Sequence, residues 1–264
     1  MTMICTVRWM STKSPGNSNT HGMIVKIVIA THKEFSPPSG QLFIPLHVGA
    51  AGKKPIGFAA DDTGENISSR NPNYCELTGL YWAWKNLSDV DAVGLCHYRR
   101  FFKASPEEIV SLLSQTDCIL PQKRNYFIET TYSQYAHAHH AIDLDTTREI
   151  IAERHPNCLE AFNATMKSTR GHRFNMLVMK RPLLDRYCAW LFDMLFELEK
   201  RLDISAYSSY DRRVFGFVGE RLLDVWIRAN NIPYAELPVL HTESQHWPKK
   251  IMCFLKRKFL PRRK

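Results

Sequence analysis

The amino-acid sequence predicts a single α/β domain in which helices flank a central, mostly parallel β-sheet. Short runs of apolar and β-branched residues alternate along the chain with longer segments in which apolar residues recur at helical spacing. The runs at residues 24–30 and 92–96 are almost continuously apolar, which is typical of strands that a parallel sheet buries on both faces. These two observations indicate the fold class.

The first predicted elements are strands followed by a helix. Residues 24–30 form the first strand, which ends at a polar loop of residues 31–33. Residues 42–48 and 56–60 form two short strands, because glycine and proline residues separate these apolar runs. A helix begins at Asn71, since tyrosine, leucine and tryptophan side chains recur after it at helical spacing.

The second predicted group begins with a buried strand at residues 92–96, which runs directly into His97-Tyr98-Arg99-Arg100. Residues 122–140 are polar, aromatic and rich in histidine, and long connections of this kind are usually functional or mobile. The other predicted elements are helices at residues 106–114, 145–155, 156–167, 182–202 and 219–230, and strands at residues 118–120, 175–179 and 234–240.

The composition is that of a globular protein with a basic tail. The chain has 264 residues, of which 44% are hydrophobic and 23% are charged, and its formal net charge is +9. Eight of the 35 lysine and arginine residues lie in residues 249–264, which contain no acid, so the rest of the chain is almost neutral. We expect a disordered leader at residues 1–22, or a translation start at Met23, then one domain at residues 23–245 and a basic amphipathic tail at residues 246–264.

The tail interleaves its cations with isoleucine, leucine and phenylalanine side chains. This combination favours an anionic membrane surface, at about 1 kcal/mol per basic residue plus the insertion of apolar groups. A nucleic-acid-binding tail is the alternative, but such a tail more often lacks aliphatic anchors. No membrane-spanning helix is expected, because the longest mostly apolar stretch, residues 187–198, contains two acids and is shorter than the roughly 20 residues required.

Several familiar signatures are incomplete or missing. Seven cysteines are scattered without a C-x-x-C pair, which favours a reduced, cytosolic compartment. Residues 49–54 hint at a phosphate loop, but His47 stands where the first glycine belongs and Lys54 where the motif needs Ser or Thr. Neither G-x-G-x-x-G after the first strand nor G-x-S-x-G is present. Nucleotide hydrolases, dinucleotide-dependent dehydrogenases and α/β-hydrolases are therefore disfavoured.

The strongest local signal is the string His97-Tyr98-Arg99-Arg100. In open parallel sheets, ligands bind beyond the carboxyl ends of the strands, which is where the strand at residues 92–96 delivers these side chains. Guanidinium groups bind phosphate through two hydrogen bonds at once, so the cluster is predicted to hold a diphosphate leaving group. The alternative is a structural arginine pair that bridges acids at the strand end.

Glu220 follows Gly219 at the start of the last predicted helix. One interpretation is that its carboxylate only stabilises the first turn of that helix through the helix dipole. The other is that Glu220 is a general base in a cleft. The sequence pattern alone leaves both open.

Three histidines, His137, His139 and His140, lie close to an aspartate in the long connection. Imidazole and carboxylate groups are common metal ligands, but the spacing H-x-H-H matches no tight motif. Hydrogen bonds to sugar hydroxyl groups, with Tyr132 or Tyr135 as a stacking surface, are the favoured interpretation.

Taken together, these strings resemble a bacterial family that is catalogued as a domain of unknown function, whose members are described as capsule, exopolysaccharide or O-antigen glycosyltransferases. The E-L-T-x-x-Y-W and H-Y-R-R strings are unusual enough to make the resemblance specific. The strings that carry it are A-T-H-K at residues 30–33, N-P-N-Y-C-E-L-T-G-L-Y-W at residues 71–82, G-L-C-H-Y-R-R-F-F at residues 94–102, N-M at residues 175–176, and R-V-F-G with E-R-L-L within residues 213–223.

The resemblance implies a GT-A-like fold that transfers a hexose from a nucleoside diphosphate donor. Such enzymes normally carry a D-x-D after the strand at residues 92–96, which binds a divalent cation such as Mn²⁺ or Mg²⁺ to the diphosphate. This sequence has His97-Tyr98-Arg99 there. The departure puts metal dependence in doubt, and Arg99 and Arg100 are expected to supply the positive charge. The resemblance also implies an acidic acceptor base at the start of a late helix, here Glu220, and inversion of the anomeric configuration.

On this hypothesis, fourteen side chains contact the substrates. The catalytic candidates are Glu220, Arg99 and Arg100. The substrate-binding candidates are Thr31, His32 and Lys33 for the nucleotide, Asp61 or Asp62 for uracil or ribose, Glu76 and Thr78 for the donor side, His97 and Tyr98 for the diphosphate, and His140 and Asn175 for the sugars.

The expected partners follow from the same hypothesis. The donor is a uridine diphosphate hexose, the acceptor is a lipid-linked oligosaccharide, and the location is the cytoplasmic face of the plasma membrane. A nucleic acid is not expected as a partner. The sequence specifies no cofactor, and a divalent cation, Mn²⁺ or Mg²⁺, stays an alternative although the D-x-D is absent. Two alternatives come from other classes of protein: a noncatalytic assembly partner that binds polysaccharide, and a nucleic-acid-binding protein that uses the basic tail.

Overall fold

The computed structural model describes residues 22–243. Residues 1–21 of the predicted leader and the whole predicted tail, residues 246–264, lie outside the described residues, so the domain boundaries stay a prediction. None of the helices within residues 22–243 combines the length and the apolar character that crossing a lipid bilayer requires.

Eleven strands form one nine-stranded and one two-stranded sheet in the described part of the chain. The strands are β1 (Val25–Thr31), β2 (Phe43–His47), β3 (Ala59–Ala60), β4 (Ala92–His97), β5 (Arg100–Phe102), β6 (Cys118–Pro121), β7 (Arg124–Asn125), β8 (Arg170–Gly171), β9 (Leu177–Lys180), β10 (Ala235–Leu237) and β11 (Val239–His241).

The larger sheet has the strand order β10-β6-β9-β4-β1-β2-β3, and β5 joins it by pairing with β4 and with β11. The neighbouring pairs β1–β2, β1–β4, β2–β3 and β6–β10 are parallel, whereas β9 runs antiparallel to β4 and β6. The prediction of a mostly parallel central sheet is confirmed. Because β1, β2 and β4 run in the same direction, their carboxyl ends meet at one edge of the sheet.

Helices cover both faces of this sheet. Helices α2 and α7 pack on one face, α3 packs on the other, and α8 packs against α1, α6 and α7. The helices are α1 (Asn71–Tyr74), α2 (Leu77–Asn86), α3 (Pro106–Leu113), α4 (Thr131–Ala138), α5 (Ala141–Arg154), α6 (Leu159–Lys167), α7 (Arg181–Arg201) and α8 (Val214–Ala229).

The core forms two clusters, one on each face of the sheet, because successive side chains of a strand point to opposite faces. On β1, Val28 and Ala30 join the cluster beneath α2 and α7, whereas Ile27 and Ile29 join the cluster beneath α3. This period of two is what a strand buried on both faces requires, and it explains the nearly continuous apolar run that predicted β1.

Helix α8 begins at Val214, so its predicted start at Gly219 is wrong. Gly219 lies inside the helix because α8 passes very close to α2: a Cβ at Gly219 would lie 2.7 Å from Cδ1 of Leu77. Glycine here marks a close approach of two helices rather than the end of one. Glu220 consequently lies in the second turn of α8, which excludes its interpretation as a first-turn carboxylate.

The connection at residues 122–140 contains more structure than the sequence predicts. It includes β7 and α4, and Thr130 caps α4: the Thr130 Oγ1 accepts a hydrogen bond from the Ser133 N–H at 3.0 Å, and the Ser133 Oγ accepts one from the Thr130 N–H at 2.9 Å. The capping box at its N-terminal end stabilises this polar helix, which has little amphipathic pattern.

Two predicted strands differ from the observed ones because the chain turns at or within them. The strand predicted at residues 92–96 continues to His97 and returns as β5 after a two-residue turn at Tyr98 and Arg99. The strand predicted at residues 234–240 divides at Pro238 into β10, which pairs with β6, and β11, which pairs with β5. These turns place Arg99 and Arg100 at the carboxyl-end edge of the sheet.

Candidate active site

A cleft of about 750 Å³ opens at the edge where the carboxyl ends of β1, β2 and β4 meet. Ala30 and His32 line the cleft from the end of β1, Val48 lines it after β2, and His97 lines it from the end of β4. Residues of α1, α4 and α8 form the opposite wall. This edge is where open α/β sheets bind their ligands.

The lining of the cleft is strongly cationic. It contains two carboxylates, on Glu76 and Glu220, and seven cationic side chains. The cations are Lys53, Arg99, Arg100, Arg124, Arg173, Arg213 and Arg221. Positive charge concentrated in a partly enclosed space raises the local concentration of anions, so the cleft is suited to an anionic ligand.

Arg99 and Arg100 enter the cleft from the β4–β5 turn. The Nε atom of each is buried and has no hydrogen-bond partner within residues 22–243. Arg99 Nη1 lies 3.6 Å from a Glu243 oxygen, and the Arg100 guanidinium carbon lies 4.3 Å from the centroid of the Phe174 ring. Burial, and then the neighbouring Arg99 charge, lower the pKa of Arg100, which nevertheless stays protonated at neutral pH. Adjacent guanidinium groups with unused donors suit a phosphate group.

His32 and Tyr98 form an aromatic corner beside these arginines. Their ring centroids are 5.2 Å apart and the rings are perpendicular. Burial, and then the positive charges of Arg99, Lys33 and Lys53, lower the pKa of His32. The imidazole is therefore neutral at pH 7 and can serve as a neutral donor or acceptor of hydrogen bonds.

Glu220 faces the same cleft from α8, with 19% of its side chain exposed. Its Oε1 accepts a hydrogen bond from the backbone N–H of Phe174 at 3.2 Å, and its Oε2 accepts one from Arg221 Nη1 at 2.9 Å. These two bonds fix the orientation of the carboxylate. An oriented carboxylate that reaches solvent can accept a proton from a hydroxyl group.

The turn before β9 joins the parts of the cleft. Phe174 and Asn175 have φ angles of 80° and 53°, a left-handed conformation that costs about 1–3 kcal/mol for each residue. Hydrogen bonds hold this turn in place: His97 Nε2 donates to the Phe174 carbonyl oxygen at 2.7 Å, and Asn175 Nδ2 donates to Glu76 Oε1 at 2.7 Å and to the Gly216 carbonyl oxygen at 3.1 Å. The same Glu76 oxygen lies 3.7 Å from His97 Nε2.

Cys75 lines the cleft but is not suited to act as a nucleophile. Arg213 Nε donates a hydrogen bond to the Cys75 Sγ at 3.1 Å. Burial raises the pKa of Cys75 to about 12, so the thiol is protonated at neutral pH. Only the thiolate form of cysteine is a good nucleophile.

Half of the fourteen predicted residues reach the lining of the cleft. They are His32, Glu76, His97, Tyr98, Arg99, Arg100 and Glu220. The structure therefore brings the two predicted arginines and the predicted base into one cavity. The other seven lie elsewhere, for physical reasons that differ from residue to residue.

Asp61 and Thr78 belong to a buried structural network, so their predicted ligand contacts are wrong. The Asp61 side chain is fully buried and accepts hydrogen bonds from the backbone N–H groups of Gly49 and Ala50, at 2.8 and 3.0 Å, and from the hydroxyl groups of Ser68 and Thr78. Four donors occupy the acceptor sites of the carboxylate. The network shapes the loop after β2 instead of binding a ligand.

Thr31 and Asn175 are also buried. Thr31 Oγ1 donates a hydrogen bond to the Lys33 carbonyl oxygen at 2.7 Å, which closes the turn that presents His32. Asn175 orients Glu76 from behind the lining, as described above, so the direct sugar contact predicted for it is wrong. Both residues position a neighbour that does line the cleft.

The remaining predicted residues lie outside the cleft lining. Lys33 and Asp62 are exposed, and Lys33 Nζ lies 3.7 Å from a Glu243 oxygen. The ring of His140 stacks on Tyr207 with centroids 4.0 Å apart. Tyr135 is fully buried and donates a hydrogen bond to an Asp143 oxygen at 2.8 Å, so it cannot stack on a sugar. His139, in contrast, does line the cleft, next to the predicted His140.

Several lining cations were not predicted from the sequence. Lys53 lies in the segment that resembles an incomplete phosphate loop, and Arg213 lies in the R-V-F-G string. Each offered a weak signal. Arg124 and Arg173 lie in separate segments with no recognisable motif, and only the folded chain brings them to the cleft.

The residues of the cleft do not fit a divalent cation. The turn after β4 carries a guanidinium group, on Arg99, and no carboxylate. His97 Nε2 donates its proton to the Phe174 carbonyl oxygen, so that nitrogen is not free to bind a metal. Within residues 22–243, no three His, Cys, Asp or Glu side chains are grouped in a way that could hold a metal ion.

Comparison with protein families identifies the family of this chain. A model described as "Domain of unknown function (DUF4422)" matches residues 26–231, so the chain belongs to the DUF4422 family. A comparison with curated proteins gives no match.

A solved structure, the apo form of the bifunctional glycosyltransferase WbbM, is similar to this chain with a TM-score of 0.76 and 28% sequence identity. The match covers 84% of this chain and 46% of that one, so the chain spans less than half the length of WbbM. The similarity confirms the predicted fold class and supports a glycosyltransferase-like family.

The strained turn can be tested through Asn175. We expect Asn175→Ala to lower the free energy of unfolding by about 2–4 kcal/mol, because it removes two buried hydrogen bonds and leaves a β-carbon at a positive φ. Asn175→Gly loses the same hydrogen bonds but tolerates the φ angle, so it is expected to be about 1 kcal/mol more stable than Asn175→Ala. Urea unfolding measures both. A glycine variant no more stable than the alanine variant would show that the turn stores no strain.

Proposed function

We propose that this member of the DUF4422 family is a glycosyltransferase that transfers a hexose from a uridine diphosphate donor to a saccharide acceptor. The observation that carries the proposal is the meeting of Arg99, Arg100 and Glu220 in one cationic cleft at the carboxyl ends of parallel strands. The similarity to part of a bifunctional glycosyltransferase supports the same conclusion.

The cationic side of the cleft binds the donor diphosphate. The two phosphate groups of the donor are negatively charged. Further negative charge develops on the leaving phosphate oxygen as its bond to the sugar breaks. The guanidinium groups of Arg99 and Arg100, which line the cleft, stabilise that charge through charge-assisted hydrogen bonds. Lys53 and Arg124 add to the positive potential from neighbouring segments. The cluster thereby does the electrostatic work for which related enzymes of this architecture use a cation.

The corner formed by His32 and Tyr98 receives the nucleoside. The His32 ring after β1 and the Tyr98 ring in the β4–β5 turn offer an apolar surface and a neutral imidazole to a planar base. Because His32 is next to Arg99, one nucleoside diphosphate can place its nucleoside in this corner and its diphosphate on the arginines.

Glu220 acts as the general base. Its carboxylate takes the proton of the acceptor hydroxyl while the hydroxyl oxygen forms a bond to the anomeric carbon of the donor. The bond from that carbon to the diphosphate breaks, and the diphosphate leaves with the electron pair. Attack from the face opposite the leaving group inverts the anomeric configuration. Arg221 and the Phe174 N–H keep the carboxylate aimed during this step.

The acceptor and the cellular location complete the proposal. We place the enzyme on the cytoplasmic face of the plasma membrane, where a lipid-linked saccharide for capsule, exopolysaccharide or O-antigen synthesis would be extended. The basic amphipathic residues 249–264 would keep it beside that substrate. This part of the proposal rests on the sequence pattern, since those residues lie outside the described part of the chain.

The role of the arginines is tested by donor hydrolysis without an acceptor. We expect Arg99→Ala and Arg100→Ala each to lower kcat/KM about 10- to 100-fold, because a charge-assisted hydrogen bond contributes about 1.5–3 kcal/mol. Arg148→Ala, an exposed arginine on α5, should change nothing. Activity should persist in a strong chelator. Loss of activity in the chelator, restored by Mn²⁺, would refute charge stabilisation by the arginines.

The choice of base is tested by comparing Glu220→Gln with Glu76→Gln. We expect Glu220→Gln to lower kcat for sugar transfer about 10²- to 10⁴-fold while calorimetry shows unchanged affinity for uridine diphosphate. Glu76→Gln should change donor affinity more than kcat, because Glu76 is tied to His97 and Asn175 rather than to the acceptor side. The opposite pattern would assign the base to Glu76. Saccharide binding without any affinity for nucleotide sugars would instead favour a noncatalytic assembly partner.

A further inference from the structure

Residues 126–129 form an apolar projection beside the cleft. In this segment, between β7 and α4, Phe127 is 80% exposed and Ile128 is 55% exposed. Two adjacent large apolar side chains that face water need an explanation, because folding normally removes such surface from solvent. We call residues 126–129 the apolar loop.

The apolar loop has a fixed backbone. The Phe127 N–H donates to the Asn125 side-chain oxygen at 2.8 Å, and the Tyr126 N–H donates to the Thr169 carbonyl oxygen at 2.8 Å. On the other side, the Thr131 N–H donates to the Ser168 carbonyl oxygen at 2.8 Å. Phe127 itself has a φ of 58°, which is unusual for a bulky residue. The exposed side chains therefore project from a backbone that hydrogen bonds tie to the neighbouring segments.

The charged residues of the two strands beside the apolar loop, β7 and β8, are both cationic. Arg124 and Arg170, on the paired strands β7 and β8, are exposed and have no ion-pair partner within residues 22–243. The acid of the loop, Glu129, is turned inwards, where it is 5% exposed and accepts a hydrogen bond from His137 Nδ1 at 2.5 Å. The loop thus presents apolar side chains flanked by cations, with its own carboxylate hidden.

We propose that the apolar loop inserts Phe127 and Ile128 into the headgroup region of an anionic phospholipid bilayer. Apolar anchors flanked by cations are the chemistry that an anionic membrane surface recognises. The alternative occupant, a second copy of this chain, would have to match exposed cations with acids of its own. The bilayer supplies both the negative charge and the apolar interior.

The apolar loop lies at the cleft, so its insertion into a bilayer would also position the cleft. Arg124 and Tyr126 line the cleft, and Phe127 and Ile128 follow them directly in the chain. Insertion would therefore hold the mouth of the cleft at the level of the lipid headgroups. This consequence rests on the proposed function, in which the acceptor is lipid-linked, whereas lipid binding by the loop does not.

Co-sedimentation of the full chain with vesicles tests the proposal. The vesicles contain phosphatidylcholine with phosphatidylglycerol, or phosphatidylcholine alone. We expect the double variant Phe127→Ala, Ile128→Ser to bind the anionic vesicles at least about tenfold more weakly than the unaltered chain. Ile24→Ser, at the opposite end of β1, removes an apolar side chain of similar exposure and should bind normally. Hydrolysis of the donor in solution should be unaffected by all three substitutions.

A second measurement separates the loop from the basic tail. Phe127→Trp places a fluorescent side chain at the loop tip, and brominated lipids should quench it beyond the quenching of the native tryptophans. Unchanged vesicle binding by the double variant, or the absence of this extra quenching, would overturn the proposal. So would dimerisation of the unaltered chain that the double variant abolishes in sedimentation velocity. Failure of donor hydrolysis in the unaltered chain would refute the proposed function and leave the lipid result standing.

Discussion

The hydrogen bonds of the turn at Phe174 and Asn175 hold the candidate active site together. The Phe174 carbonyl oxygen accepts a hydrogen bond from His97, the Phe174 N–H orients Glu220, and the side-chain amide of Asn175 orients Glu76. The Phe174 ring lies under the Arg100 guanidinium. His97 at the end of β4, Glu76 just before α2 and Glu220 in α8 therefore keep their relative positions through one short segment in an unfavourable backbone conformation. The hydrogen bonds of the turn offset the free-energy cost of that conformation, because their donor and acceptor groups would lose their partners if the turn relaxed.

The second organising feature is the concentration of positive charge at one edge of the sheet. Parallel strands bring separate loops to the same edge, and each loop adds a cation that a distant part of the sequence encodes. Burial, and then the neighbouring positive charges, lower the pKa of His32 and of Arg100, and seven cations that share one cleft repel one another. An anionic ligand relieves that repulsion. In the proposed function, affinity for a diphosphate, its stabilisation as a leaving group and the proximity of a carboxylate base thus all follow from one arrangement.

The sequence predicts those features that depend on local pattern or on a strand end. The apolar runs identify β1 and β4, and the rule that ligands bind at strand ends identifies Arg99 and Arg100. Where tertiary packing decides, prediction fails. The sequence pattern predicts a helix start at Gly219, but the glycine is there because the helix passes close to Leu77. The pattern also predicts that Asp61 binds a ligand, but backbone N–H and hydroxyl groups occupy its buried carboxylate. Arg124 and Arg173 reach the cleft through the topology of the sheet, which no local motif encodes. The resemblance to a family supplied Glu220, for which spacing alone left two interpretations.

The most direct test of the account is a crystal structure of the chain with uridine diphosphate. We expect phosphate oxygens to lie within about 3 Å of guanidinium nitrogens of Arg99 and Arg100. The uracil should lie beside His32 and Tyr98, and the Glu220 carboxylate should face the terminal phosphate across the cleft. A diphosphate bound at another site, or in this cleft without contact to either arginine, would contradict the central claim that these two side chains hold the leaving group.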